Sequence, residues 1–197
     1  MPPYELTTET IYRAYSIASD PQKNDEIELE IRYVPNGICT TYIHKFLKVG
    51  DKLVINGPYG DFYLRDTSRD IIFIAGGSGM APIKSILHQM RNENNQRRAI
   101  YFFGARSRRD LFLLDFMNEI QRVLPNFKFI PALSSPDQSD EWDGERGLIT
   151  EVVDRKLQKL ENTEAYLCGN PLMIDACIKV LQSKGMDQKS IFYDKFT

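Results

Sequence analysis

"IIFIAGGSGMAP", residues 71–82, runs from a short apolar strand through a turn of small residues into a helix that opens near Pro82. Glycines let the backbone approach a ligand or another chain segment closely, and a helix start offers unbonded N–H groups and the positive end of the helix dipole. Gly76, Gly77, Ser78, Gly79, Met80, Ala81 and Pro82 thus read as a seat for a diphosphate or, equally, as a tight structural turn. The spacing is not G-x-G-x-x-G, because Pro82 holds the last position when the count starts at Gly77.

Outward from this stretch, short apolar strands alternate with amphipathic helices. The strands are "IIFIA" (71–75), "AIYFFG" (99–104), "FKFIPAL" (127–133), "AYLC" (165–168) and "IFY" (191–193). Between them, apolar stripes at helical spacing fall on Ile83, Ile86, Leu87 and Met90; on Phe116, Ile120 and Val123; on Ile149, Val152, Val153 and Leu157; and on Met173, Cys177, Val180 and Leu181. Five strands with four intervening helices predict an α/β domain with a five-stranded parallel sheet covered on both faces, over residues 67–197.

Residues 1–66 have a different period. Ile27, Leu29, Ile31 and Tyr33 alternate with Glu28, Glu30 and Arg32, the mark of a half-buried antiparallel strand. "KLVING" (52–57) and "DFYL" (61–64) continue it around the turn "GPYG", with a brief helix near "TTYIHKF" (40–46).

The chain has 197 residues, 42% of them hydrophobic, and a net charge of -2 from 25 basic and 27 acidic side chains, which leaves no basic footprint for nucleic acid. No apolar run is long enough to span a membrane, and "MPPYELTT" lacks the regions of a signal peptide, so a cytoplasmic protein is expected. Cys39, Cys168 and Cys177 form neither a disulfide framework nor a ligand set, and His44 and His88 read as surface or capping residues; no metal is expected.

Three further places could carry chemistry. In "CGNP", Cys168 ends a strand, Gly169 and Asn170 turn the chain and Pro171 opens a helix, at the carboxyl edge of the sheet where ligands of open α/β folds lie; Cys168 also suits a buried small apolar position. At the terminus "IFYDKFT", Phe196 is placed to lie on a flat ligand or to plug a core. The "RSRR" run from Arg106 to Arg109 is a solvated cluster or faces the adenosine part of a dinucleotide, with Asp110 as a cap for "LFLLDF". "SSPDQSDEWDGERG" (134–147) is the longest loop-like stretch.

In order along the chain, "RAYS" (13–16), "GICTTYI" (37–43), "GGSGMAP", "CGNP" and "DKF" (194–196) resemble the ferredoxin-NADP reductase superfamily, and the resemblance covers essentially the whole chain. Within it, "YRAYSIAS", "GARSRRDLF" and "EWDGERGLI" are similar to the flavin-carrying subunits of sodium-pumping NADH:quinone oxidoreductases, whose membrane anchor and iron-sulfur domain have no counterpart in these residues. The resemblance implies a partial antiparallel β-barrel of the FAD-binding type ahead of the α/β domain. It implies that Arg13 contacts the flavin diphosphate, Tyr15 stacks on the isoalloxazine and Ser16 offers its hydroxyl near N5. Ile31 joins the flavin contacts, and Gly37, Thr40 and Thr41 receive the diphosphate. Residues 76–82, Arg106, Ser134, Gly169, Asn170 and Pro171 would contact the nicotinamide nucleotide. Cys168 and Asp194 would lie at the reacting centre, with Phe196 shielding the flavin.

The implied activity is FAD-dependent oxidation of NADH, with electrons passed to a one-electron acceptor, an iron-sulfur or quinone-linked partner. "ALSSP", without an arginine to bind a 2'-phosphate, favours NADH over NADPH. Family members carry further strands and a Pro-Gly-Gln turn ahead of the Arg-x-Tyr-Ser strand. The barrel is therefore expected to be incomplete at its N-terminus and finished by a partner chain or a second copy, or the sequence to be a cut or late-starting piece. The alternative is a flavin-free nucleotide-binding interaction subunit; an electron-transfer subunit for dihydroorotate oxidation is weakened by the lack of a cysteine cluster. Association with a membrane complex would run through a partner.

Overall fold

The structure is a computed structural model that describes residues 1–23, 25–137 and 141–196. Its centre is a parallel sheet built from β1 (Asp70–Gly76), β2 (Ala99–Ala105), β3 (Phe127–Leu133), β4 (Glu145–Arg146), β5 (Thr163–Gly169) and β6 (Ile191–Lys195). The strand order is β4-β3-β2-β1-β5-β6. The sheet thus has six strands where five were expected. β4 pairs only Glu145 and Arg146 with Ala132 and Leu133, and two polar residues carry no periodic signal.

Helices α2 (Met80–Asn92), α3 (Leu114–Val123), α4 (Ile149–Lys156) and α5 (Pro171–Ser183) cover the faces. Alternation along β1 divides the core: Ile71, Phe73 and Ala75 pack with residues of α2 and α3, while Ile72 and Ile74 pack with those of α4 and α5. Ile83, Ile86, Leu87 and Met90 on α2 are all buried, each contributing about 1.5–3 kcal/mol. The inward face of α3 is Met117 and Ile120, followed by Leu124, rather than Phe116, Ile120 and Val123; Val123 is exposed and Phe116 packs on the His88 ring. The helix begins only after Leu113, which has a left-handed backbone. Asp110 does not cap α3: it accepts from the Ser107 N–H and hydroxyl and closes the turn Arg108–Asp110 ahead of it. On α5, Ile174 joins Cys177 and Leu181 in the core.

Ahead of Asp70, α1 (Ile38–Lys45) forms where a brief helix was expected. The expected strands do not form ladders among the described residues: pairing there consists of isolated antiparallel bridges, Tyr4 with Thr7 and Ile17 with Leu29. The physical reason is the lack of a neighbour. Among the described residues "KLVING" has no strand beside it, and Val54 and Ile55 are 71% and 59% exposed. "DFYL" instead lies on the sheet, with Leu64 buried and Phe62 edge-on to Tyr166.

Two polar clusters fasten the N-terminal third to the α/β half. Asp20 is buried and accepts from the Asn92 side chain and the Gln22 N–H, with Arg91 beside it. Its burial raises the carboxyl pKa, but these hydrogen bonds and charges win and hold it below its ordinary value. In the second, Arg97 pairs with Glu164, which also accepts from Thr67 and Tyr166, while the Arg65 N–H donates to the Tyr166 hydroxyl.

Candidate functional site

The strand order reverses direction between β1 and β5, because β2, β3 and β4 follow on one side of β1 while β5 and β6 lie on the other. In open α/β sheets the crevice beyond the carboxyl ends of the strands at that point is where ligands sit. Both small-residue turns of the sequence flank it. β1 runs into the tight turn Gly77–Gly79, with Gly77 at φ +56°, and β5 ends on Gly169 at φ +136°. The backbones meet across the crevice: a Cβ on Gly79 would collide with the Cys168 carbonyl oxygen. Asn170 caps α5 by accepting from the Leu172 N–H, with Pro171 at the first helical position.

The Met80, Ala81 and Pro82 side chains are buried in the core, so what the first turn offers outward is Gly76, Gly77, Ser78 and the helix start. A depression of about 690 Å³ lined by Thr67, Asp70, Arg97 and Asn126 lies at the amino end of β1, the wrong end for such a ligand.

Three of the four expected reacting residues converge. Asp194 pairs in register with Cys168, and the Ser16 hydroxyl donates to the Asp194 carboxylate at 3.2 Å. Burial pushes the Cys168 thiol well up, the Asp194 charge pushes it further and Ser16 acts in the opposite sense. The thiol is therefore neutral at physiological pH, a small soft surface rather than a nucleophile. Phe196, the fourth, is half-buried and tied to the same turn by its N–H, which donates to the Gly169 carbonyl. Thr197, which follows it, lies outside the described residues.

On the N-terminal side, Arg13 is exposed and Tyr15 half-buried; burial and Cys39 raise the phenol above its ordinary pKa while Arg13 pulls it down. Ile31 is half-buried, its carbonyl against a His44 ring nitrogen. The Thr40 hydroxyl closes the turn before α1 by accepting from the Val34 N–H and donating to the Val34 carbonyl, and Thr41 is buried. Gly37 is needed for that turn, since a Cβ there would stand 2.6 Å from the Thr40 oxygen. Arg106 and Ser134 are exposed on adjacent strand ends, the Ser134 N–H donating to the Ala105 carbonyl. Arg109 pairs with Asp137 at the surface. Of the long loop, residues 138–140 lie outside the described residues.

Sequence reasoning missed Arg32, whose guanidinium approaches Gly77. It also missed Glu30, whose carboxylate oxygens are buried. Both lie at polar positions of the alternating run, where the pattern indicates only solvent. No local signal could have found them, because the groups they face are far off in sequence.

A chain with this sheet, these paired turns and a bridged N-terminal segment is a two-nucleotide oxidoreductase fold, and sequence comparison agrees. The Oxidoreductase FAD-binding domain model matches residues 3–63 and the Oxidoreductase NAD-binding domain model residues 73–179. The chain belongs to the ferredoxin reductase family of FAD- and NAD-binding oxidoreductases. It is 39% identical over 186 residues to the reductase component of phenol 2-monooxygenase from Pseudomonas sp. (strain CF600), covering 93% of this chain and 53% of that protein. It is also 39% identical over 202 residues to the F subunit of the Na(+)-translocating NADH-quinone reductase of Actinobacillus succinogenes, covering 95% and 49%. Among solved structures, the Amycolatopsis cytochrome P450 reductase GcoB superposes with TM-score 0.85 at 30% identity, over 93% of this chain and 56% of that one. The chain thus spans about half the length of the curated relatives it matches.

Proposed function

We propose that this chain is an FAD-dependent NADH-oxidising module, residues 1–66 serving the flavin and 67–197 the nicotinamide nucleotide. The observation that carries the reading is the convergence of Ser16, Cys168 and Asp194, which brings the N-terminal segment to the switch point of the sheet through one hydrogen bond. The residues present fit both cofactors. A half-buried Tyr15 and a half-buried Phe196 are flat faces for flat rings, Arg13 is an exposed cation for a diphosphate, and the Gly79 turn leaves no room for a side chain. Bound FAD would accept hydride from NADH and release electrons singly, the chemistry belonging to the cofactor.

The protein's share is binding, orientation and electrostatics. Tyr15 would hold one ring face; Phe196 would cover the other and yield to the nicotinamide. Cys168, neutral and buried, would set the depth at which the nicotinamide lies. Ser16, with its one hydroxyl proton given to Asp194, would present its oxygen as an acceptor in an orientation that Asp194 fixes. Gly37, Thr40 and Thr41 would receive the flavin diphosphate at the start of α1, with Ile31 alongside; Gly76, Gly77, Ser78, Gly169, Asn170 and Pro171 would hold the nicotinamide nucleotide, its adenosine end reaching Arg106 and Ser134. NADH is favoured because residues 134–137 supply no cation for a 2'-phosphate.

The relatives named as a monooxygenase reductase component and as a subunit of a sodium-translocating NADH-quinone reductase support an acceptor on another protein; an iron-sulfur or quinone-linked acceptor would suit electrons released singly. Among the described residues no helix is long and apolar enough to cross a membrane; a cytoplasmic protein, docked to a membrane complex through its partner, fits this reading. A second reading, a flavin-free subunit that docks a partner, is favoured by the exposed Leu53, Val54 and Ile55.

An absorption spectrum after loading with FAD and removing the excess, followed by anaerobic NADH, separates the two. A retained flavin band that bleaches with NADH is the expected result. Protein that comes away colourless but still titrates with NADH overturns it in favour of the second reading.

A further inference from the structure

Glu30 stands in the alternating run between Ile27 and Tyr33, yet both its carboxylate oxygens are buried and neither meets a hydrogen-bond donor among the described residues. The phenol of Tyr101 on β2, fully buried and within electrostatic reach of Glu30, likewise lacks a hydrogen-bond partner there. The cation facing Glu30 is Lys84 of α2, but its ammonium is engaged by Glu28 on the same run. Farther along α2, His88 and Arg91 face Asp20. One lysine therefore serves two carboxylates, and a buried carboxylate without a partner of its own is neutralised by a proton.

The run that carries Glu30 is also what positions Ser16. The Ala18 N–H donates to the Glu28 carbonyl at 2.8 Å and Ile17 bridges Leu29, so the residues just ahead of Glu30 are tied to those that follow Ser16. Ser16 in turn reaches Asp194. We propose that Glu30 is a positioning residue that works as a carboxylic acid: protonated, it keeps this run seated on α2 and β2 and Ser16 on Asp194, and ionised, it loosens the seat. Its effect on the reaction rests on the function proposed above; the seat itself does not.

The sign follows from the geometry. Burial pushes the Glu30 carboxyl up to about 7, with Lys84 pulling it down and Glu28 pushing it further up. A carboxyl bound more tightly to its proton in the folded state contributes stability that is complete below its unfolded value and lost as pH rises through the folded one.

The test uses the full chain without flavin or nicotinamide, so its failure is distinct from failure of the functional reading. Thermal melts and limited tryptic cleavage at Arg32 would be followed from about pH 5 to about pH 8, together with the infrared band of protonated carboxyl groups. In the parent protein, cleavage is expected to become several-fold faster across that interval and the band to fade. In Glu30→Gln, a neutral isostere, cleavage should stay slow at the upper pH and the corresponding band should be missing throughout. Equal pH dependence of cleavage in the two proteins would overturn the proposal. Should Glu30→Gln fail to fold, the parent's infrared titration decides: no buried carboxyl losing its proton near neutrality would sink it.

Discussion

The hydroxyl of Ser16 donates to the carboxylate of Asp194 across 178 residues of sequence, joining the N-terminal segment to the last strand of the sheet. The bond lies beside the buried thiol of Cys168, near the carboxyl end of β5. A hydrogen bond to a charged group contributes about 1.5–3 kcal/mol, which is more than most surface contacts between the two regions can offer.

Loss of that bond is expected to slow reduction of bound flavin by NADH. Ser16→Ala should lower the single-turnover rate by about tenfold or more, corresponding to at least about 1.4 kcal/mol of barrier. Asp194→Asn, which keeps the shape but loses the charge, should cost less. Stopped-flow absorbance measures both, and an unchanged rate in Ser16→Ala would remove the bond from the mechanism.

The thiol of Cys168 should behave as an inert group. Because burial and the neighbouring Asp194 charge push its pKa well up, the fraction ionised near neutral pH is negligible. Iodoacetamide at mildly alkaline pH is expected to leave Cys168 unmodified in the folded protein and to label it fully in urea. Peptide mass spectrometry gives the answer; rapid labelling of the native protein would contradict a buried, neutral thiol.

Gly79 tests the close approach of the two turns. Its backbone angles are open to any residue, so Gly79→Ala should act through collision with the Cys168 carbonyl alone. A cost of about 1–3 kcal/mol is expected from overpacking, together with weaker NADH binding as the helix start is displaced. Urea melts and fluorescence titration of NADH report the two effects separately.

Arg97 and Glu164 form a buried pair, and Glu164 is only 1% exposed. Arg97→Ala leaves that carboxylate with only the Thr67 and Tyr166 hydroxyls, and should destabilise the protein by about 3 kcal/mol or more. The double variant Arg97→Met, Glu164→Leu should cost less than the single change, because no uncompensated charge remains. Urea denaturation of both settles the order.

The α/β half is legible in the sequence because its signals are local. A strand buried on both faces must be apolar throughout, as "IIFIA" is, and a helix that covers it must repeat its apolar residues every three or four positions, as Ile83, Ile86, Leu87 and Met90 do. The small-residue turns are legible for the same reason: left-handed backbone at Gly77 and Gly169 favours glycine, and the crowding at Gly79 leaves no room for a side chain. The resemblance of "RAYS" and "CGNP" to a known family points to Ser16 and Cys168, although not to the bond from Ser16 to Asp194.

The N-terminal third is legible in period but not in placement. Alternation between Ile27 and Tyr33 says that two faces differ; which face meets protein depends on what lies opposite, and here α2 and Tyr101 take in Glu30 while Ile27 stays exposed. "KLVING" has the composition of a strand, yet pairing needs a neighbour at hydrogen-bonding distance, and composition says nothing of one. The same holds for β4, where two polar residues became a strand through the free edge of β3 beside them. By itself the sequence determined what its local periods and turns require: the strands and helices of the α/β half and the glycines that join them. Only the tertiary structure decided which distant groups share a low-dielectric space, so that Glu30 lost its solvent and Ser16 met Asp194, because burial and electrostatics depend on distance through the fold rather than along the chain.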